Sequence, residues 1–281
     1  MHDWPSILSS LLIQGSVGLV FISAIYSLST RVILSPMQNV ILFRAPLTIA
    51  AIFGLLGLLL SSLSSSTELL PMSQLSNTAF TKESMTTGIY LALLGFMVIA
   101  LYVTKRVRPL YLFIVGLVGL IAVFFMANLY FHSSVITWAH YHTFVSFFGT
   151  TFSLGAALTL LLLVPILLQM QQHPLNFLLM VIATLLIFAS FAIRVMEIGH
   201  YETAIGFAST LSGSATVELA YFNYSYFNLA AWVMLGVSTL LLFIGTIRAR
   251  KHPLVITHLI FTGGLIVAAE LFLRMVFFTV G

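Results

Sequence analysis

The amino-acid sequence predicts an all-α fold, a polytopic membrane protein whose single transmembrane domain over residues 1–281 is a bundle of about eight helices. Two observations predict this class. Of the 281 residues, 60% are hydrophobic and 6% are charged, whereas about a quarter of the residues in soluble domains are charged. The apolar residues also form continuous runs of about twenty residues, enough to cross a bilayer as a helix, whereas strands of a membrane barrel would alternate apolar and polar residues.

Each helix is predicted from one apolar run, and proline or small polar residues mark most of the joints between runs. The chain starts with Met1-His2-Asp3-Trp4-Pro5, which lacks the basic residues of a cleaved signal peptide, so we expect the first run to be retained as a helix. The marked joints are Ser35-Pro36, the serine tract 61–66, Arg108-Pro109, His173-Pro174 and His252-Pro253. The predicted helices are 7–26, 45–63, 85–103, 110–129, 144–168, 175–195, 228–247 and 258–278.

Lysine and arginine predict the orientation, because short cytoplasmic loops retain positive charge. Nearly all of these residues flank the odd-numbered connections, which are therefore expected in the cytoplasm. Both termini and the longer connections 64–84, 132–142 and 197–227 are then non-cytoplasmic, and periplasmic if the membrane is the inner membrane of a bacterium. We expect function at that mouth of the bundle. The basic residues are Arg31 and Arg44 at the first connection, Lys105, Arg106 and Arg108 at the third, and Arg248, Arg250 and Lys251 at the last.

The chain contains no cysteine, which excludes a cysteine-held iron–sulfur cluster within it. A haem between two histidines is not expected either, because only His258 approaches the interior of a predicted helix. His140 and His142 could bind a metal only with a third ligand nearby, and no metal site is predicted. No basic cluster interleaves with aromatic residues, so nucleic-acid binding is excluded.

Two pairs of ionisable residues lie in or beside predicted helices. Glu270 and Arg274 are one turn apart in the last helix, where they could neutralise each other on one face. Such a pair either locks the helix against its neighbours or forms a polar wall for a ligand. Arg194 and Glu197 lie where the sixth helix leaves the membrane, and Arg194 is expected to extend to the interface.

Glu83 lies where the second connection enters the third helix, with Thr81 as a plausible N-cap. An acid in the first turn of a helix complements the helix dipole, which would be a purely structural role. Alternatively, a carboxylate at the lipid boundary could accept a proton from a ligand that arrives from the membrane. The aromatic run 221–227 likewise fits an interfacial belt or a surface that stacks on a quinone head group.

Four segments together resemble a known family. They are His2-Asp3-Trp4-Pro5, the run 81–88 (TKESMTTG), Tyr130 with Trp138, and the run 269–278 (AELFLRMVFF), of which the last is the most specific. Over nearly its whole length the chain is similar to the membrane anchor subunit of the bacterial dimethyl sulfoxide reductase family.

The resemblance implies a haem-free subunit that oxidises menaquinol near the periplasmic face. Electrons would pass to a four-cluster ferredoxin-like iron–sulfur subunit and then to a molybdopterin catalytic subunit. The family's quinol-site glutamate matches Glu83. A family histidine after the second helix is replaced here by serines, so the other polar partner of the quinol would be Ser62, Ser64 or a histidine of a neighbouring loop. Those histidines are His140, His142 and His200.

Three alternatives remain open at this point. A purely structural anchor would hold its partners on the membrane and bind no quinone analogue. A small-solute permease would transport its substrate as an isolated chain, although no internal repeat of the kind common in transporters is visible. A related anchor of the polysulfide or nitrite reductase type would keep the quinone chemistry and change the partner.

Overall fold

Eight helices are present in the computed structural model, as predicted. It describes the backbone of residues 4–65, 77–133, 135, 137–212, 215–250 and 256–280, and their side chains except at 64–65, 77–81, 199–212, 215–224 and 280. Each of the eight helices is long and apolar enough to span a membrane, and the described residues contain no strand. The helices are α1 (Trp4–Thr30), α2 (Pro36–Ser65), α3 (Asn77–Thr104), α4 (Pro109–Phe131), α5 (His142–Gln169), α6 (His173–Ser212), α7 (Ala215–Ala249) and α8 (Ile256–Val280).

Helices α6 and α7 differ most from the prediction. The expected connection 197–227 is wrong, because α6 continues to Ser212 and α7 begins at Ala215. The apolar spans end at Ile198 in α6 and start at Ser225 in α7. At about 1.5 Å per residue, the part of α6 beyond its span is about 20 Å long. The aromatic run 221–227 therefore lies within α7, where Tyr226 is exposed and Phe227 contacts Phe272.

Helix α1 lies at the centre of the bundle, packed against α2, α4, α5, α6 and α8. Its buried face carries small residues, which let neighbouring backbones approach closely within a membrane. At Gly18, an added Cβ atom would overlap the backbone of α5 at Thr151 and Gly155. The reverse is also true, since a Cβ atom at Gly155 would overlap the backbone of Gly18. Helices α1 and α5 therefore cross in backbone contact.

Helix α3 packs at the edge of the bundle, against α2 and α4. It begins at Asn77, before Thr81, so the expectation that Thr81 caps this helix is wrong. Glu83 consequently lies in the second turn and not in the first. Because the spans alternate in direction, the start of α1 and the end of α8 lie on one side, together with the starts of α3 and α5. We call this side the outer end; its assignment as non-cytoplasmic stays a prediction.

Candidate functional site

Glu83 is a buried acidic side chain near the outer end of the bundle. It is 6% exposed, and the Ser84 side chain lies beside its carboxylate. The spacing of three and four residues places it on the inward face of α3. That face continues with the buried residues Thr87, Tyr90, Leu94, Met97 and Leu101. Among the described side chains of α3, Glu83 is thus the outermost one of a buried stripe.

Two contacts fix the position of α3 relative to its neighbours. Ser16 of α1 lies 2.8 Å from the Tyr90 hydroxyl, oxygen to oxygen, and its own hydroxyl donates to the Ala50 carbonyl of α2 at 2.7 Å. A Cβ atom at Gly54 of α2 would overlap the Leu91 side chain of α3. These contacts show which residues of α1, α2 and α3 lie side by side: Ser16 lies next to Tyr90, and Gly54 lies next to Leu91. Both pairs are about midway along the buried stripe that starts at Glu83.

This register places Ser62 at the height of Glu83. Helices α2 and α3 run in opposite directions, and Ser62 follows Gly54 by as many residues as Glu83 precedes Leu91. The Ser62 hydroxyl donates to the carbonyls of Leu58 at 3.1 Å and Leu59 at 2.8 Å. The side chain of Ser64, the second serine proposed for this site, lies outside the described residues, as does that of His200.

A second polar group joins α5, α6 and α8 deep within the bundle. Arg194 donates to both carboxylate oxygens of Glu270, at 2.7 Å from Nη1 and 3.1 Å from Nη2. Its Nη2 also donates to the Thr150 hydroxyl at 2.9 Å and the Ser146 carbonyl at 3.1 Å. Arg194 is 3% exposed, so the expectation that it extends to the interface is wrong. Its guanidinium has a fully buried carboxylate within reach, which is a better partner than the lipid headgroups.

Arg274 does not pair with Glu270, contrary to the prediction from their spacing. Its Nη2 donates to the Gln14 amide oxygen of α1 at 2.7 Å and the Thr150 hydroxyl at 3.0 Å. The guanidinium carbon lies 4.1 Å from the centroid of the Phe147 ring. Because the planar fork of Arg194 engages both oxygens of Glu270, Arg274 turns toward α1 instead. Residues 270 and 274 hence connect α8 to two different neighbours.

Glycine at position 149 makes room for this arrangement. A Cβ atom there would overlap the guanidinium group of Arg194. The Gly149 carbonyl accepts a hydrogen bond from the Ser190 hydroxyl at 2.9 Å, and that hydroxyl lies 3.0 Å from the Ser153 hydroxyl. At this position α5 therefore offers α6 hydrogen-bonding groups and no large side chain.

The group formed by Arg194, Glu270 and Arg274 has two positive charges and one negative charge. Arg274 is 1% exposed and Glu270 is 0% exposed, and an arginine does not lose its proton inside a protein. The Nε atoms of both arginines and Nη1 of Arg274 have no hydrogen-bond partner. The bundle interior thus carries a net positive charge that the described residues do not neutralise.

The connection between α4 and α5 is tied to the end of α8 by aromatic rings. Trp138 stacks on Phe277 at 5.6 Å between centroids and donates from Nε1 to the Phe277 carbonyl at 3.0 Å. Tyr130 lies 5.2 Å from Trp138, edge to face. These rings form a lid over the outer end of the polar group.

His140 and His142 lie at the start of α5, beside this lid. Both are half-buried, and the backbone amide of His142 donates to Nδ1 of His140 at 3.1 Å. Within the described residues α3 packs against neither α5 nor α8, so these histidines and Glu270 with Arg274 belong to a different group from Glu83. Among those residues no three histidine, cysteine or acidic side chains are placed to hold a metal.

Comparison with known proteins gives the family. The model of the DMSO reductase anchor subunit (DmsC) family matches residues 1–280. The chain belongs to the DMSO reductase anchor subunit family. No curated protein and no solved structure matches the sequence. The resemblance found in the motifs is thereby confirmed, and so is the prediction of a multi-pass membrane anchor.

Membership in this family fits an anchor subunit of a DMSO reductase complex, and it implies catalytic and electron-transfer partner subunits. The chain has no cysteine, so any iron–sulfur cluster that serves this anchor subunit with cysteine ligands must be held by a partner.

Three side chains of the Glu83 stripe and of the arginine group were not predicted from the sequence. Gln14 could have been found, because it is an amide in the middle of an apolar run and such groups usually face the bundle interior. Thr150 and Thr87 gave no signal, since a threonine in a membrane helix usually satisfies its hydroxyl on its own helix. In this anchor subunit Thr150 does so through the Ser146 carbonyl at 2.9 Å and also accepts from both arginines.

Proposed function

We propose that this anchor subunit oxidises menaquinol at the outer end of α2 and α3, with Glu83 as the residue that accepts a proton from it. The observation that supports the proposal most directly is the burial of Glu83 among apolar helices at the height where a lipid-soluble donor could reach it. A carboxylate is costly in such surroundings. Buried ionisable groups cluster at functional sites, and Glu83, unlike Glu270, forms no ion pair with a described residue.

The proposed reaction removes two electrons and two protons from the quinol. One hydroxyl proton of the head group passes to the Glu83 carboxylate, and the other leaves to water at the outer end. The electrons pass one at a time to a four-cluster ferredoxin-like iron–sulfur subunit, which in turn reduces a molybdopterin catalytic subunit. When bound, menaquinol supplies all the redox chemistry of this step, while Glu83 supplies the base.

Serine 62 lies at the same height as Glu83 by the register of α2 and α3; it is exposed, and its hydroxyl donates to its own helix, so it could take part only as an acceptor. A hydroxyl oxygen that donates in this way can still accept a hydrogen bond from a quinol hydroxyl. We assign the arginine group of α6 and α8 a different role, in holding the bundle together. The proposed setting is the inner membrane of a bacterium with the outer end in the periplasm.

The test is the substitution Glu83→Gln in the complete complex. Glutamine keeps the size of the side chain and removes the base, so quinol-driven reduction of the terminal acceptor should fall by about a hundredfold, within the usual range for a general base. Glu197→Gln is the matched control, since that glutamate lies near the outer end on α6 and should be dispensable.

Assembly must be measured in the same membranes, by the amount of catalytic subunit that they retain. An assembled Glu83→Gln complex that oxidises quinol at the normal rate would refute the assigned role. If such a complex and the unsubstituted one both fail to bind any quinone analogue, the subunit is a structural anchor without quinone chemistry.

A further inference from the structure

Among the described side chains of the membrane helices, Thr87 is the buried threonine whose hydroxyl has no hydrogen-bond partner. The hydroxyl of Thr86, its neighbour, donates to the Lys82 carbonyl at 2.8 Å, and most of the others bond in the same way to the residue four positions before them. The Thr87 hydroxyl is buried, with the side chain 1% exposed, and has no hydrogen-bond partner. The threonines that bond to their own helix are Thr30, Thr48, Thr104, Thr150, Thr151, Thr159, Thr239, Thr246, Thr262 and Thr279.

This buried hydroxyl forms no hydrogen bond to its own helix. The Glu83 carbonyl, the acceptor one turn before it, bonds to Thr86 at 3.0 Å instead. A buried hydroxyl without a partner is costly, and a rotation about χ1 could in general bring it to a helix carbonyl. A hydroxyl left without a partner here therefore suits an acceptor or donor that comes from outside the chain.

Thr87 lies one turn inward from Glu83 on the same face of α3. Side chains one turn apart are about 5–6 Å from each other at Cβ, which is similar to the separation of the two oxygens across the ring of a para-quinol. Next to them Gly88 is half-buried, and a Cβ atom there would meet nothing within 4 Å. A flat ring that came from the lipid would find this open space on α3 about 100° round the helix from Thr87.

We propose that Thr87 binds the second oxygen of the quinol head group while Glu83 binds the first. The inference rests on the proposed function and adds the ligand's orientation, with its ring axis along α3. Thr87 accepts a hydrogen bond from the quinol hydroxyl and donates one to the quinone carbonyl that replaces it. The proton of this hydroxyl passes to Glu83, one turn away, after Glu83 has released the first proton to water at the outer end. The site would thus select rings with two oxygens in para positions over ring systems with one.

The experiment compares Thr87→Val with Thr87→Ser in the complete complex. Valine keeps the shape of threonine and removes its hydroxyl, whereas serine keeps the hydroxyl. With a water-soluble naphthoquinol as the probe, Thr87→Val should raise KM about tenfold, the ratio expected for one hydrogen bond, and Thr87→Ser should stay within about twofold of the wild type. Thr86→Val is the control, because that hydroxyl is already satisfied by α3.

Thermal stability separates this role from a structural one. Without quinol, Thr87→Val should be at least as stable as the wild type, because it removes a buried hydroxyl that has no partner. The stabilisation that the corresponding naphthoquinone gives should shrink. A Thr87→Val complex that has a normal KM and keeps the full stabilisation by naphthoquinone would overturn the inference about Thr87. The proposed function has its own test: an assembled Glu83→Gln complex that oxidises quinol at the normal rate would refute it, whatever the Thr87 variants do.

Discussion

Removing the charge of Glu270 should destabilise the bundle more than any other single polar substitution in it. Glu270→Gln leaves Arg194 and Arg274 buried together without a carboxylate, so the interior charge rises from one positive charge to two. The side chains involved are 0%, 3% and 1% exposed, and neither arginine can be neutralised by losing a proton. Breaking a buried pair of this kind costs about 3–5 kcal/mol, and we expect the free energy of unfolding to fall by that amount.

The assay is reversible unfolding of the purified subunit in mixed micelles, followed by circular dichroism. A double-mutant cycle isolates the contribution of the pair: Glu270→Gln and Arg194→Met are measured singly and together. Because the double variant leaves neither partner alone in the apolar interior, it should be more stable than the sum of the two single effects predicts, by about 1–3 kcal/mol. Losses that add without coupling, or a loss below about 1 kcal/mol for Glu270→Gln, would mean that the pair is hydrated and that its assigned burial is wrong.

Two further predictions concern glycines at helix crossings. Gly149→Ala should push Arg194 out of its place and lower the free energy of unfolding by about 1–3 kcal/mol, as measured in the same micelles. Gly155→Ala should cost a similar amount by separating α5 from α1, and cross-linking between cysteines introduced in these helices would detect the shift. Gly95→Ala is the control for both, because a Cβ atom there would meet nothing within 4 Å; equal losses in all three variants would contradict the packing argument.

The number of helices could be predicted from the sequence because hydrophobicity alone decides it. Continuous apolar runs have one stable conformation in lipid, and each of the eight predicted runs lies within one of the eight helices. The extension of α6 and α7 could not be predicted in this way, since residues 199–224 are too polar to give an apolar run. The sequence has no proline between Pro174 and Pro253, and that absence was the available signal that the helices continue.

The partners of the buried charges were beyond the reach of sequence. Glu270 and Arg274 have the spacing of a pair within one helix, and nothing in that spacing shows that Arg194 is a better partner from another helix. The choice depends on how α6 and α8 pack, and on Gly149, which leaves space for the guanidinium group. Likewise, the sequence identified Glu83 as a candidate, whereas the neighbouring Thr87 became one only when its hydroxyl was seen without a partner.

The unneutralised charge among Arg194, Arg274 and Glu270 also affects what can cross the bundle. A fixed positive charge in surroundings of low dielectric constant creates a repulsive potential for any cation, and channels that exclude protons use an arginine for this purpose. A hydronium or sodium ion that entered between α1, α5, α6 and α8 would meet this barrier in the outer half of the spans. The fixed charge that joins α5, α6 and α8 therefore also raises the cost of bringing any cation into the middle of the bundle.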